Sequence, residues 1–388
     1  MNSQNKQIIC GKAIFNGQDI LPDHALKVTD GVIESLSPIA ELDLAQAKSD
    51  GWQVVEFNDG LLTAGFIDFQ VNGGGGVLLN DQPTEQGLAA IIKAHRKFGT
   101  TSMLPTMISD TFEKMQTVVD ATNRALNQNM PGLLGLHLEG PYFNIMRKGV
   151  HLPAMIRPID DGVLELYKSL KNGILMVTLA PEQAPKGFIG QLRDAGILVY
   201  AGHTDATYEQ IQTALAEGLS GFTHLYNAMS PLANREPGVV GAAIEDDDSF
   251  AGLILDNQHV ANASAIIAIR AKKRGKICLV TDAMSPVGTN GENFKLYGQD
   301  ISVKDDTCFT QQGTLAGSAL DMASAVRNCH LGLGIELTES LRMASKYPAD
   351  ALGLSQKLGQ LQPGFRADIV HLDPKLMPTQ TAVNGQWD

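Results

Sequence analysis

The 388-residue chain has no basic excess: 30 Lys and Arg stand against 42 Asp and Glu, a formal net charge of −12. That balance argues against nonspecific binding to nucleic acid or anionic membranes, which needs basic patches. It does not forbid an anionic small substrate, because a few local cations can outweigh the global field. No apolar run is long enough to span a bilayer. The start, MNSQNKQIICGKAIF, has no long apolar core after a basic region, so no secretory signal is expected and the expected location is cytoplasmic. Cysteine is scarce, and Cys10, Cys278, Cys308 and Cys329 form no CxxC. That scatter speaks against a disulfide frame or a zinc knuckle and for reduced thiols packed as small hydrophobes. Short-period repeats, low-complexity tracts and large charge blocks are missing too. The acidic run 245–248 reads as a solvated loop, because adjacent carboxylates without further spaced oxygens make a poor cation cage.

What is present is an alternation. Residues 1–60 are strand-rich, as are FRADIVHLDP and PTQTAVNGQWD near the other end, so residues 1–60 and 362–388 are expected to pair into one small β-domain. Over 61–361 apolar strands alternate with amphipathic helices. The strand candidates are GFIDFQVN, TSMLPT, LLGLHLEG, ILMVTLAPE, ILVYAGHT, GFTHLYNA, FAGLILDN and ICLVTDAM. Thr207 with Gln210, and Asp110 with Glu113, have the spacing of helix-start capping pairs. Eight β–α units in this length fit an α/β fold of the (β/α)8 TIM-type barrel class. A doubly wound open sheet is the alternative, since periodicity does not show closure.

The strand candidates end in polar residues: Asn72, Thr106, Glu139, Glu182, His203, His224, Asp256 and Asp282. In a barrel those ends converge on one mouth, where active sites of this fold sit. Glu139, His203 and His224 supply one carboxylate and two imidazoles, the composition of a catalytic zinc-type site with a fourth position open to water. Asp282 would stand beside that water and move its proton as general base and then acid. Metal-assisted amide hydrolysis is the reaction class this set suits. His137, two residues before Glu139, points to the same side of its strand and is expected behind the ligands. His24, His95, His330 and His371 lie in the small domain or on helices, outside the strand-end set.

The ordered motifs GFIDFQVNG, LGLHLEGPY, KGVHLP, AGHTDAT, FTHLYNAM, REPGVVGA, VTDAMSP and GTLAGSAL run over essentially the whole chain. In that order they resemble the N-acetylglucosamine-6-phosphate deacetylase family of the amidohydrolase superfamily. The resemblance implies a (β/α)8 barrel with a small β-sandwich made from both chain ends. It implies Glu139, His203 and His224 as metal ligands and Asp282 as catalytic acid/base. Val150 and His151 match the stretch that touches substrate, with His151 helping to polarise the acetyl carbonyl. Asn227 and Ala228 match sugar-phosphate contacts, and Arg235 and His259 match the remaining polar substrate contacts. The backbone of Leu315, Ala316 and Gly317 would close the pocket over the acetyl group. A homodimer or tetramer is implied, with a neighbouring subunit contributing to the phosphate site.

Superfamily members often carry two histidines, one residue apart, at the end of the first barrel strand. Here Gln70 and Asn72 stand there, neutral amides and weaker ligands than imidazole. One divalent metal per subunit is therefore expected, Zn²⁺ first, with Fe²⁺, Co²⁺ or Mn²⁺ also suited to the set, and the second position is expected to be vestigial. The glycines at 73–76 would let the backbone turn sharply and approach the substrate. The implied reaction frees glucosamine 6-phosphate and acetate. A deacetylase for the galactosamine epimer, or a catalytically dead barrel, are the competing readings.

Overall fold

Apolar strands joined by amphipathic helices give a parallel β–α alternation in the computed structural model, which describes residues 5–304 and 306–388. Eight strands pair, each with the next: Phe66–Val71, Thr100–Ile108, Gly135–Glu139, Ile174–Leu179, Leu198–Ala201, Gly221–Phe222, Phe250–Leu253 and Ile277–Leu279. The first three are buried at every residue, as strands covered on both faces must be. Helices fill the connections, from Glu85–Arg96 after the first strand to Asn262–Ala271 after the seventh.

Hydrogen bonds past the last strand decide between barrel and open sheet. Asp282 N–H donates to Gln70 O at 2.9 Å, and Ala283 O accepts from Asn72 N and Gly73 N at 2.8 and 2.9 Å. Val71 and Ala283 form a parallel bridge. The eighth strand thus returns to the first, and the sheet closes.

The second strand runs two residues beyond its expected end at Thr106. Pro105 does not stop it, because it lies where the register shifts between Asp68 and Val71, and Thr106 Oγ1 accepts from Val71 N instead. A proline is tolerated in a sheet at such an irregularity. The capping box at Thr207 and Gln210 is present. Asp110 does not cap the next helix; Thr111 does. The Asp110 carboxylate is taken by Asn80 Nδ2 and Lys114 Nζ, both at 3.0 Å.

Both chain ends build a second eight-stranded sheet, joined where Leu61–Ala64 pairs antiparallel with Ile369–Leu372. The two-residue period of Lys6–Phe15 puts Ile8 and Cys10 in one apolar cluster and Ile9 in another. The chain passes from this sheet to the barrel at Gly65.

The glycine run at 73–76 is a tight hairpin. Gly73–Gly74 pairs with Val77–Leu78, and Gly75 and Gly76 have φ of +64° and +83°, a two-residue turn that favours glycine. His95 Nε2 holds Gly73 O at 2.8 Å.

A four-stranded antiparallel sheet, Phe294–Leu296, Gln299–Lys304, Thr307–Thr310 and Leu315–Ser318, follows the eighth barrel strand. A parallel bridge between Ala283 and Ser318 fastens it to the barrel mouth.

Candidate active site

Glu139 ends the third barrel strand, His203 and His224 stand two residues past the fifth and sixth, and Asp282 stands three past the eighth. His203, His224 and Asp282 all have left-handed backbones, with φ of 50°, 34° and 52°. A side chain with a Cβ pays about 1–3 kcal/mol for that conformation, and it persists where the surroundings over-determine it. The surroundings here do so. Thr204 N is held by Ala228 O at 3.1 Å, Leu225 N by Gly252 O at 2.8 Å, and Asp282 O by Ser318 N at 3.0 Å. Glu182 fixes the turn after His203 by accepting from Thr204 Oγ1 and Asp205 N.

Glu139 Oε1 lies 3.2 Å from His203 Nε2 and 3.1 Å from His224 Nε2, and the two nitrogens are 3.0 Å apart. His203 Nδ1 faces Arg147 O at 2.9 Å. A carbonyl only accepts, so Nδ1 carries the proton and Nε2 presents a lone pair. His224 Nδ1 is buried without a hydrogen-bond partner, so nothing behind that ring selects a tautomer. The His203 lone pair, the His224 Nε2 and the Glu139 carboxylate converge on one point, a donor set suited to a divalent cation. Ligand atoms of Glu139, His151 and His203 also lie within 4.8 Å of one another. The two triads share Glu139 and His203, and the one containing His224 is the tighter.

The two carboxylates differ in electrostatics. Burial tends to raise Glu139, but hydrogen bonds and charge from His203 and His224 outweigh it and hold the carboxyl well below its ordinary range. Burial and the charge of Glu139 push Asp282 up to about 6, against the opposing influence of His224, His259 and the Asn72 hydrogen bond. One group stays ionised while its neighbour titrates near neutrality, the separation expected of an acid–base residue beside a fixed anion. Burial and the neighbouring His203 keep His151 well below the usual histidine range, hence neutral.

Gln70 and Asn72 serve these carboxylates. Asn72 Nδ2 donates to Asp282 Oδ1 at 2.7 Å, and Gln70 Nε2 lies 3.2 Å from the same oxygen and 3.5 Å from both oxygens of Glu139. A cavity of about 270 Å³ opens above, lined by Asn72, Glu139, Val150, His151, His203, His224, Asn227, Ala228, His259, Asp282, Leu315 and Gly317 among others. His259 is oriented by Asp256, whose Oδ2 lies 2.6 Å from its Nδ1.

The pattern of the amidohydrolase family matches residues 61–388. The chain belongs to the amidohydrolase family. This amidohydrolase is 42% identical over 357 residues to the N-acetylgalactosamine-6-phosphate deacetylase of Shewanella sp. (strain ANA-3), covering 92% of this chain and 89% of that one. It is 35% identical to the N-acetylglucosamine-6-phosphate deacetylase of Haemophilus influenzae, over 98% of this chain and 99% of that one. The solved N-acetylglucosamine-6-phosphate deacetylase of Pasteurella multocida superposes with a TM-score of 0.93 at 35% identity, covering 98% and 99% of the two chains.

Three expected residues of this amidohydrolase stand apart from the cavity lining. Ala316 points the other way from Leu315 and Gly317, into the apolar cluster of the inserted sheet, as strand alternation requires. Gln70 sits beneath the floor. Arg235 is exposed on the loop after the sixth strand, and among the described residues it forms no ion pair. His137 makes no hydrogen bond to the three clustered groups; it bonds Thr106 and Thr178 one layer below. The glycine hairpin is not part of the lining either. The sequence reading missed Ile108, Gly149, Met284 and Thr314, which do line it. Ile108 was hidden by ending its strand at Thr106, and Thr314 by the unread inserted sheet.

Proposed function

We propose that this amidohydrolase deacetylates an N-acetylated amino-sugar 6-phosphate, N-acetyl-D-glucosamine 6-phosphate first, giving D-glucosamine 6-phosphate and acetate. The observation that carries this is the convergence of Glu139, His203, His224 and Asp282 in one cavity, in a chain similar over nearly its full length to deacetylases of such sugars.

Glu139, His203 and His224 would hold one divalent cation, Zn²⁺ first, which supplies Lewis-acid polarisation of water and the amide carbonyl. Asp282, ionised, accepts the proton of the attacking water. It then delivers that proton to the departing nitrogen. His151 donates to the acetyl oxygen, and Leu315 and Gly317 close over the acetyl group. Asn227, Ala228 and His259 contact the sugar phosphate. Arg235, outside its own cavity, serves the phosphate of a neighbouring subunit in a homodimer. Among the described residues no helix is long and apolar enough to cross a membrane, and we assign the enzyme to the cytoplasm.

The Shewanella relative favours the galactosamine epimer as a second reading, because the two sugars differ at one hydroxyl and its identity to this chain is 42%. Steady-state kcat/KM on both acetylated 6-phosphates separates them. A clear preference for the glucosamine sugar is expected, equal or reversed preference would overturn it, and no hydrolysis of either by metal-loaded enzyme would sink both.

A further inference from the structure

We propose that Ser109 is a positioning residue that fixes His151 as the Nε2–H tautomer, so that His151 presents a hydrogen-bond donor, not a metal ligand, to the cavity. The inference deepens the deacetylase reading and rests on it for the role of that donor.

His151 Nδ1 meets two groups of Ser109: the hydroxyl Oγ at 2.8 Å and the backbone N–H at 3.4 Å. A hydroxyl either donates or accepts, but a backbone N–H only donates. With that N–H directed at it, Nδ1 must offer its lone pair, and the hydroxyl donates to the same nitrogen. In a neutral imidazole the remaining proton then sits on Nε2. His203 has the opposite arrangement, since a carbonyl faces its Nδ1. Two neighbouring histidines, with ring centroids 4.5 Å apart, are thereby sorted by their outer partners into one lone-pair donor and one N–H donor. This also settles which of the two overlapping triads suits a cation: a protonated Nε2 has no lone pair to give, so His151 drops out.

Ser109 is itself held in place. It is buried, and its carbonyl accepts from Tyr297 OH at 2.6 Å, a bond from the inserted sheet. Gly140 makes room for its hydroxyl: a Cβ there would come within 2.3 Å of Ser109 Oγ. Phe143, edge-on to the His151 ring with centroids 4.9 Å apart, and His203 confine the ring from two sides.

The test reads the tautomer on the full metal-free chain labelled with ¹⁵N-histidine, the His151 signals being those lost in His151→Asn. At neutral pH, Nδ1 is expected to resonate as an unprotonated nitrogen and Nε2 as a protonated one, and Ser109→Ala should give a tautomer mixture. In the metal-loaded enzyme, Ser109→Ala should lower kcat about tenfold with KM within about twofold, and Ser109→Thr should recover most of it. A proton on Nδ1 in the wild type would overturn the proposal, whether or not the variants fold. So would a Ser109→Ala enzyme with wild-type tautomer and wild-type kcat. The tautomer is read without substrate, so the expected spectrum in an enzyme inactive on amino-sugar phosphates would sink the deacetylase reading alone.

Discussion

Asn72 Nδ2 donates to Asp282 Oδ1 across 2.7 Å, tying the first barrel strand to the last through their functional ends. The amide places an electropositive N–H against this carboxylate without bringing net charge. Gln70 and Asn72 leave their own oxygens buried and unpartnered. Such an orphan costs about 1–3 kcal/mol, and the arrangement holds because turning either amide would set oxygen against carboxylate.

Removing that donor should move the pH profile. With Asp282 as the proposed general base, activity should fall as pH drops through its pKa, which is about 6 in the metal-free site and lower beside a cation. The Asn72 hydrogen bond favours the ionised form, so Asn72→Ala should shift the acidic limb of kcat upward, with the largest loss of kcat below about pH 6. A limb that stays put would mean that Asn72 does not tune Asp282.

Metal analysis separates the two overlapping triads. Wild-type chain should carry one tightly held divalent cation; His224→Asn should lose it, and His151→Asn should keep it. Asp282→Asn should also keep the metal while kcat falls by about 10²–10⁴-fold. A stoichiometry near two, or a cation lost with His151 and retained without His224, would overturn the ligand assignment.

Asp68 lies one turn of the strand pattern below Gln70, fully buried, with Thr281 Oγ1 donating to Oδ2 at 2.6 Å. Burial pushes it up to about 7, more than its hydrogen bonds from Thr281 and Gln70 restore. A raised folded-state pKa contributes stability that is whole below the unfolded value near 4 and is lost as pH rises through about 7. Relative to Asp68→Asn, wild type should therefore lose unfolding free energy between about pH 4 and 8, by up to about 4 kcal/mol. Parallel stability curves for the two proteins would show that Asp68 does not titrate in this range.

The alternation of eight strands and their polar ends was readable because a parallel strand must be apolar on both faces until it reaches the mouth, where Glu139, His203, His224 and Asp282 break the pattern. Closure was not readable, since the bonds from Asp282 N and to Ala283 O are main-chain contacts between residues about 210 apart. The inserted sheet was overlooked because its strands are three to six residues long, although Tyr297–Gly298, both at positive φ, is a two-residue hairpin turn. Ser109 escaped notice for a simpler reason: a serine past a strand end carries no signal until the histidine it serves, 42 residues on, is folded against it.

Arg235 is the residue whose assignment depends on a second chain. It is exposed, it does not line the cavity of its own barrel, and Leu232 on the same loop is 56% exposed. An arginine that serves a partner's phosphate makes a crossed complementation test possible. Arg235→Ala alone should raise KM for the 6-phosphate about tenfold with little change in kcat, the signature of lost uniform binding. Asp282→Asn alone should be inactive. When the two variants are mixed and allowed to exchange subunits, a mixed dimer contains one site with Asp282 from its own chain and Arg235 from the other. Low-KM activity should reappear in the mixture, in proportion to mixed dimers. If the mixture only sums the activities of its components, Arg235 acts within its own chain or not on the phosphate at all.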